Sequence, residues 1–191
     1  MIFLHLIVAH LLGDFVFQSN DLLQRKYKSW MGIFQHACII SALTILSIFP
    51  YLQHAAAWQV ISIIFGMHFV QDHLKIELDA RYNKKKNTLP FFADQIFHVA
   101  LIYVLSLWLT KFEPLSLPDW LENLYSSYSV TIYLIGAVLF SYAYDIALYQ
   151  FLRKRSKKKL EYTANIPSML RRIAIFSVIY LLILVSAGNL M

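Results

Sequence analysis

His10 and Asp14, His68 and Asp72, and Asp94 and His98 stand four residues apart, each pair inside or at the end of a strongly apolar stretch. Residues four apart on a helix share a face, with Cβ atoms about 5–6 Å apart, so each pair can address one centre. Imidazole and carboxylate are the usual ligands of zinc, manganese or iron, and helical-bundle interiors are places where they are assembled. An Asp near the centre of a bilayer costs on the order of 2.5–3.5 kcal/mol, so such residues imply an ion site, a proton relay or a buried polar contact. With His36 from another apolar run, the candidate ligand set is His10, Asp14, His36, His68, Asp72, Asp94 and His98.

Seven ligands exceed the four of one tetrahedral ion. Two ions, or one ion with carboxylates orienting its histidines, would use them. None is a thiolate, so zinc, manganese and iron all remain open as the divalent metal. Asp14, Asp72 and Asp94 are also the candidate catalytic carboxylates. Lys75, seven residues after His68 and three after Asp72, is placed to hold a substrate's negative charge or to pair Asp72. Against this stands a plainer alternative, because a lone His–Asp pair in a membrane helix is more often an interhelical hydrogen bond. A proton or cation pathway would use the same residues equally naturally.

Several neighbours take separate readings. Gln18 extends the His10–Asp14 face by four residues, as a hydrogen-bonding partner of the site or a marker of the helix end. Gln95 adjoins Asp94 but points about 100° away on a helix, which favours a helix–helix hydrogen bond. Asp145 is a fifth contributor, or is satisfied by Tyr142, Tyr144 and Tyr149. His5 and His54 fall toward the other end of their segments, and His73 faces away from Asp72.

The elements that must position these groups follow from composition. The 191 residues are 59% hydrophobic and only 15% charged, which is too apolar for an ordinary soluble domain. The expected fold is all-α: a polytopic membrane bundle of about six transmembrane helices in a single domain without internal repeats. The spans are expected over 2–20, 32–50, 55–75, 90–110, 130–152 and 168–188, with an interfacial helix over 117–126. The first segment lacks a basic leader and a small-residue cleavage pattern, so it reads as a retained helix and not a signal peptide. The single cysteine, Cys38, excludes an intrachain disulfide or a multi-thiolate zinc site.

Every Lys and Arg except Lys111 falls between segments one and two, three and four, or five and six, counting the starts and ends of the spans. These are Arg25 to Lys28, Lys75 to Lys86 and Arg153 to Arg172. By the positive-inside rule those loops are cytoplasmic and both termini lie outside. The net charge of +6 therefore suits the lipid bilayer and anionic headgroups as partners, with no nucleic acid expected. In that orientation the paired residues lie about 5–12 Å from the cytoplasmic ends of their helices, with His36 within about one turn of that surface. Four helices put their ionisable groups in one layer.

The stretches Ala9-His-Leu-Leu-Gly-Asp-Phe-Val-Phe-Gln18, His68-Phe-Val-Gln-Asp-His-Leu-Lys75 and Asp94-Gln-Ile-Phe-His98 resemble the motifs of a bacterial membrane family, domain of unknown function 3307. The resemblance covers about the first hundred residues and implies a polytopic protein of the bacterial inner membrane. More distantly, the His and Asp pattern is similar to that of membrane-bound metal-dependent hydrolases, an analogy that transfers no residue. The expected activity is metal-dependent hydrolysis of an amphiphilic or phosphate-bearing substrate. A metal-ion or proton transporter or channel, and a scaffold with a structural metal, are the alternatives. Short helices also allow a homo-oligomer.

Overall fold

Ile2 begins a helix that does not cross straight to residue 20 as expected. The computed structural model describes residues 1–81, 89–155 and 164–188. Helix α1 (Ile2–Leu11) passes into a π-helical turn, Leu12–Val16, where the Phe17 N–H donates to the Leu12 carbonyl at 2.8 Å. The chain then breaks, and the Ser19 side chain starts α2 (Asn20–Lys28) by accepting the Leu22 N–H at 3.2 Å. Asp21 opens this helix and Arg25, Lys26 and Lys28 close it, which complements its dipole at both ends. The axis of α2 lies 86° from that of the first segment.

Ser29 both ends α2 and caps α3 (Trp30–Ser47), so the two helices meet almost without a connecting loop. Gly32 makes this crossing possible, since a Cβ there would run into the backbone of Arg25 and Lys26. A 3₁₀ turn, Phe49–Tyr51, leads to α4 (Ala55–Arg81), and α5 (Leu89–Leu109) follows. The Leu115 N–H donates to the Pro50 carbonyl at 2.7 Å, tying the stretch after α5 to the α3–α4 turn. Short α6 (Asp119–Tyr125) lies within the expected interfacial segment and is anchored by Tyr125, whose hydroxyl donates to the Ser47 carbonyl at 3.0 Å.

Helices α7 (Tyr128–Val138) and α8 (Tyr144–Arg155) are joined by a second π turn, Leu139–Ala143, and α9 (Ile166–Gly188) packs on α7 and that turn. Helix α1 is central, touching α3, α5 and α7, while α4 closes the far side against α3 and α5. Leu6, Ile40, Val60 and Leu109 are almost completely enclosed there. The outward faces of α5, α7 and α9 carry Val104, Leu134, Leu181 and Ile183 exposed, as lipid contact requires.

All described regular structure is helical, as the composition implied. The six expected spans are seen in part. Among the described residues four helices are long and apolar enough to cross a membrane, or five if the bent first pair forms one span. Helix α4 has the length, at 27 residues, but is not among these four. It carries His68, Gln71, Asp72 and Lys75 along its middle, the polar residues that point into the bundle. The basic residues Lys84 to Lys86 and Lys157 to Lys159 lie outside the described residues, as do the side chains of Arg153 to Arg155.

Candidate metal centre

The π turn sets Asp14 at the meeting point of α1, α3 and α4. Its Oδ1 lies 3.1 Å from His36 Nε2 of α3 and 3.2 Å from His68 Nε2 of α4, and the two ring nitrogens are 3.0 Å apart. All three residues are buried, His36 completely. Each ring nitrogen carries one proton or one lone pair, and no assignment satisfies all three edges of this triangle. If both rings donate to Asp14, two N–H groups crowd each other. If one ring donates to the other, a lone pair faces the carboxylate. A cation at the centre satisfies every edge. Ligands of a tetrahedral ion with bonds of about 2.0–2.1 Å lie about 3.3–3.4 Å apart, so the triangle is within a few tenths of an ångström of one face of such a shell.

A second trio shares His68. Ring nitrogens of His10, His68 and His98 all lie within 4.8 Å of one another, and the His68 and His98 rings stack at 4.3 Å. Nε2 of His10 and of His98 are buried without a hydrogen-bond partner. A void of about 10 Å³ lies among these three histidines, Thr44 and the apolar side chains of Leu6, Ile40, Ile64, Leu101 and Ile102. That is the room one water needs.

Asp72 and Asp94 stand beside the two trios, each next to a lysine. Asp72 Oδ2 lies 2.5 Å from Lys26 Nζ, and 3.8 and 4.0 Å from the ring nitrogens of His36 and His68. Lys26 and Asp72 meet as an ion pair without the geometry of a hydrogen bond. Asp94 Oδ2 accepts from Lys75 Nζ at 2.5 Å, and its Oδ1 lies 3.3 Å from His98 Nε2. Lys75 therefore pairs Asp94 and not Asp72. Within the first pair, His10 Nε2 and Asp14 Oδ2 are 3.8 Å apart, too far to bond. The partners of these residues come from other helices more than from their own.

Gln95 reaches the cluster after all, donating to Asp14 Oδ2 at 3.1 Å across the α1–α5 interface. Gln18 Nε2 donates to the Asp14 carbonyl at 3.2 Å, and its Oε1 accepts from Lys26 Nζ at 2.7 Å. Asp145 does not contribute: it pairs with Arg172, whose Nε donates to the Phe140 carbonyl at 2.7 Å and whose Nη2 donates to that of Ser141 at 3.3 Å. His54 sits on the Glu113 carbonyl at 2.7 Å, His5 packs on the Tyr125 ring, and exposed His73 faces Glu77. Lys26 is the residue that sequence reasoning missed. The signal was present in Leu22 and Lys26, four apart after a Ser-Asn-Asp helix start, the two buried residues of α2.

Fold and site together define a helical, membrane-type bundle enclosing a His/Asp cluster able to hold a metal ion. The chain belongs to the family described as protein of unknown function DUF3307, whose model matches residues 2–124. The match takes in every member of the cluster from His10 to His98 and stops before α7. No curated protein and no solved structure matches the chain.

Proposed function

We propose that this is an integral protein of the bacterial inner membrane built on a divalent-metal centre, with Asp14, His36 and His68 as protein ligands. The observation that carries the reading is the triangle of 3.0, 3.1 and 3.2 Å, which protons alone leave frustrated and a cation completes. Three protein ligands with a further position free is the composition of a catalytic site. An ion there would polarise a phosphoryl or carbonyl oxygen and lower the pKa of a nearby water. The reaction is hydrolysis of an amphiphilic or phosphate-bearing substrate entering from the cytoplasmic leaflet. Zinc, manganese and iron all suit these ligands.

The chain's own residues fit the remaining roles. His98, whose Nε2 lies 3.3 Å from Asp94 Oδ1, borders the water-sized void, and a neutral imidazole there has the chemistry of a general base. Gln95 holds the second oxygen of Asp14, so that Oδ1 stays directed at the two histidines. Lys75 is partly exposed, with about a quarter of its side chain open, and supplies positive charge where a phosphate would approach.

Six crossings remain our reading of the topology: α1 with its π turn, α3, α4, α5, α7 continued by α8, and α9. What supports it is that α4 has the length of a span, at 27 residues, and buries its His68 and Asp72 in the cluster. The basic loops face the cytoplasm and anionic headgroups, and both termini lie outside. A second reading, passage of a cation, is favoured by the two trios sharing His68, which offer one ion two adjacent positions.

Elemental analysis of protein purified without chelator tests the centre. About one divalent ion per chain is expected, falling to background in His68→Ala; a wild-type protein free of metal after incubation with zinc, manganese and iron would overturn it.

A further inference from the structure

Asp72 has the chemistry of a fourth ligand and stands just short of the place for one. Its Oδ2 is 3.8 Å from His36 Nε2 and 4.0 Å from His68 Nε2, against about 3.3–3.4 Å for neighbouring ligands of a tetrahedral ion. A shift of about half an ångström would close the shell. The same oxygen lies 2.5 Å from Lys26 Nζ, and the Lys26 side chain is 7% exposed. Lys26 is not free to leave. Its ammonium donates to Gln18 Oε1 at 2.7 Å, and its backbone is fixed where α2 crosses α3 at Gly32.

We propose that Lys26 is a positioning residue: anchored by Gln18, it holds the Asp72 carboxylate off the ion bound by Asp14, His36 and His68, and so keeps one coordination position open. The inference rests on the metal reading above. The 86° bend after α1 sets α2 across the first segment, and α2 brings the Lys26 ammonium to Asp72. This positioning role explains why a buried lysine is kept beside a cation site, where its charge alone would repel the ion. Without Lys26 the carboxylate is free to collapse onto the ion, giving a closed four-ligand site of the structural kind.

Cobalt(II) binding by the full chain in detergent, read by its visible absorption with and without azide, tests this. Wild-type protein is expected to bind Co²⁺ and to shift its spectrum when azide fills the open position. Lys26→Met is expected to bind Co²⁺ about tenfold more tightly or better and to lose the azide response. Asp72→Asn and the charge-balanced double variant Lys26→Met/Asp72→Asn are expected to keep the azide response, since no carboxylate is left to close the shell. The second pair decides the matter where Lys26→Met does not fold. A wild-type azide response in Lys26→Met, or loss of Co²⁺ from Asp72→Asn, overturns the proposal while leaving a metal centre in place. Wild-type protein that takes up no Co²⁺ and no other divalent ion removes the metal reading and the inference with it.

Discussion

His36 Nε2 and His68 Nε2 face each other at 3.0 Å on two different helices, with the same oxygen of Asp14 within 3.2 Å of both. Their backbones are held by α3–α4 packing, the most extensive helix pairing in the bundle. The approach of the nitrogens is therefore imposed by the fold. Rigid elements presenting ligand atoms at such spacing bind an ion with little reorganisation.

His68 belongs to both trios, whereas His10 and His98 belong to one and His36 and Asp14 to the other. His68→Ala should therefore lower divalent-metal affinity the most, by more than about a hundredfold, with His36→Ala close behind. His10→Ala and His98→Ala, acting from outside the triangle, should cost about ten- to a hundredfold. Competition with a chromophoric chelator gives the order, and equal losses for His10 and His36 would contradict it.

Gly32 lets α2 and α3 cross at backbone contact, and the side chains around it cannot yield because the obstruction is the Arg25–Lys26 main chain. Gly32→Ala should destabilise the protein by about 2 kcal/mol or more. It should also carry Lys26 away from Asp72. Unfolding in detergent measures the first effect; an unchanged midpoint would show that the crossing is looser than described.

Arg172 holds α9 against the second π turn through the Phe140 and Ser141 carbonyls and through Asp145. Its removal strands a partly buried carboxylate, at a cost of about 3–5 kcal/mol discounted for residual exposure. Arg172→Met should detach α9 far more than the neutral pair Arg172→Met/Asp145→Leu does. Lysine should not replace it, since a single ammonium cannot reproduce the fork. Crosslinking by a bifunctional thiol reagent between cysteines placed at Tyr133 and Ser177, which meet across α7 and α9, reports α9 docking. Equal crosslinking in all variants would count against this role.

The basic loops are expected on the cytoplasmic side. In a Cys38→Ser background, Lys85→Cys should resist an impermeant thiol reagent added to intact cells and react once the membrane is opened. Labelling from outside alone would reverse the orientation, and with it the side from which substrate enters.

Much of the site was legible because membrane burial makes polar residues conspicuous. His10, Asp14, His36, His68 and His98 come together in two trios, and each stands out as an ionisable residue within an apolar stretch. Helical spacing reveals which face a residue occupies but not what stands opposite. Asp72 and Asp94 share faces with His68 and His98, yet lysines claim both carboxylates. The π turn at Asp14 was hidden, because nothing in Leu12–Val16 marks a five-residue ring. Helix α2 was read as a basic loop since its nine residues are too polar to resemble a span. That misreading concealed Lys26. Apolarity accounts for four or five of the six expected spans, and α4, long enough at 27 residues, falls outside that count while burying His68 and Asp72 in the cluster.

The most direct test of the centre is anomalous X-ray scattering at the metal absorption edge from crystals of the zinc- or manganese-loaded protein. A single strong peak about 2.0–2.2 Å from Asp14 Oδ1, His36 Nε2 and His68 Nε2 is the predicted result. No peak within the cluster, with the triangle unchanged at full metal concentration, would contradict it and leave the histidines and carboxylates as a hydrogen-bonded core.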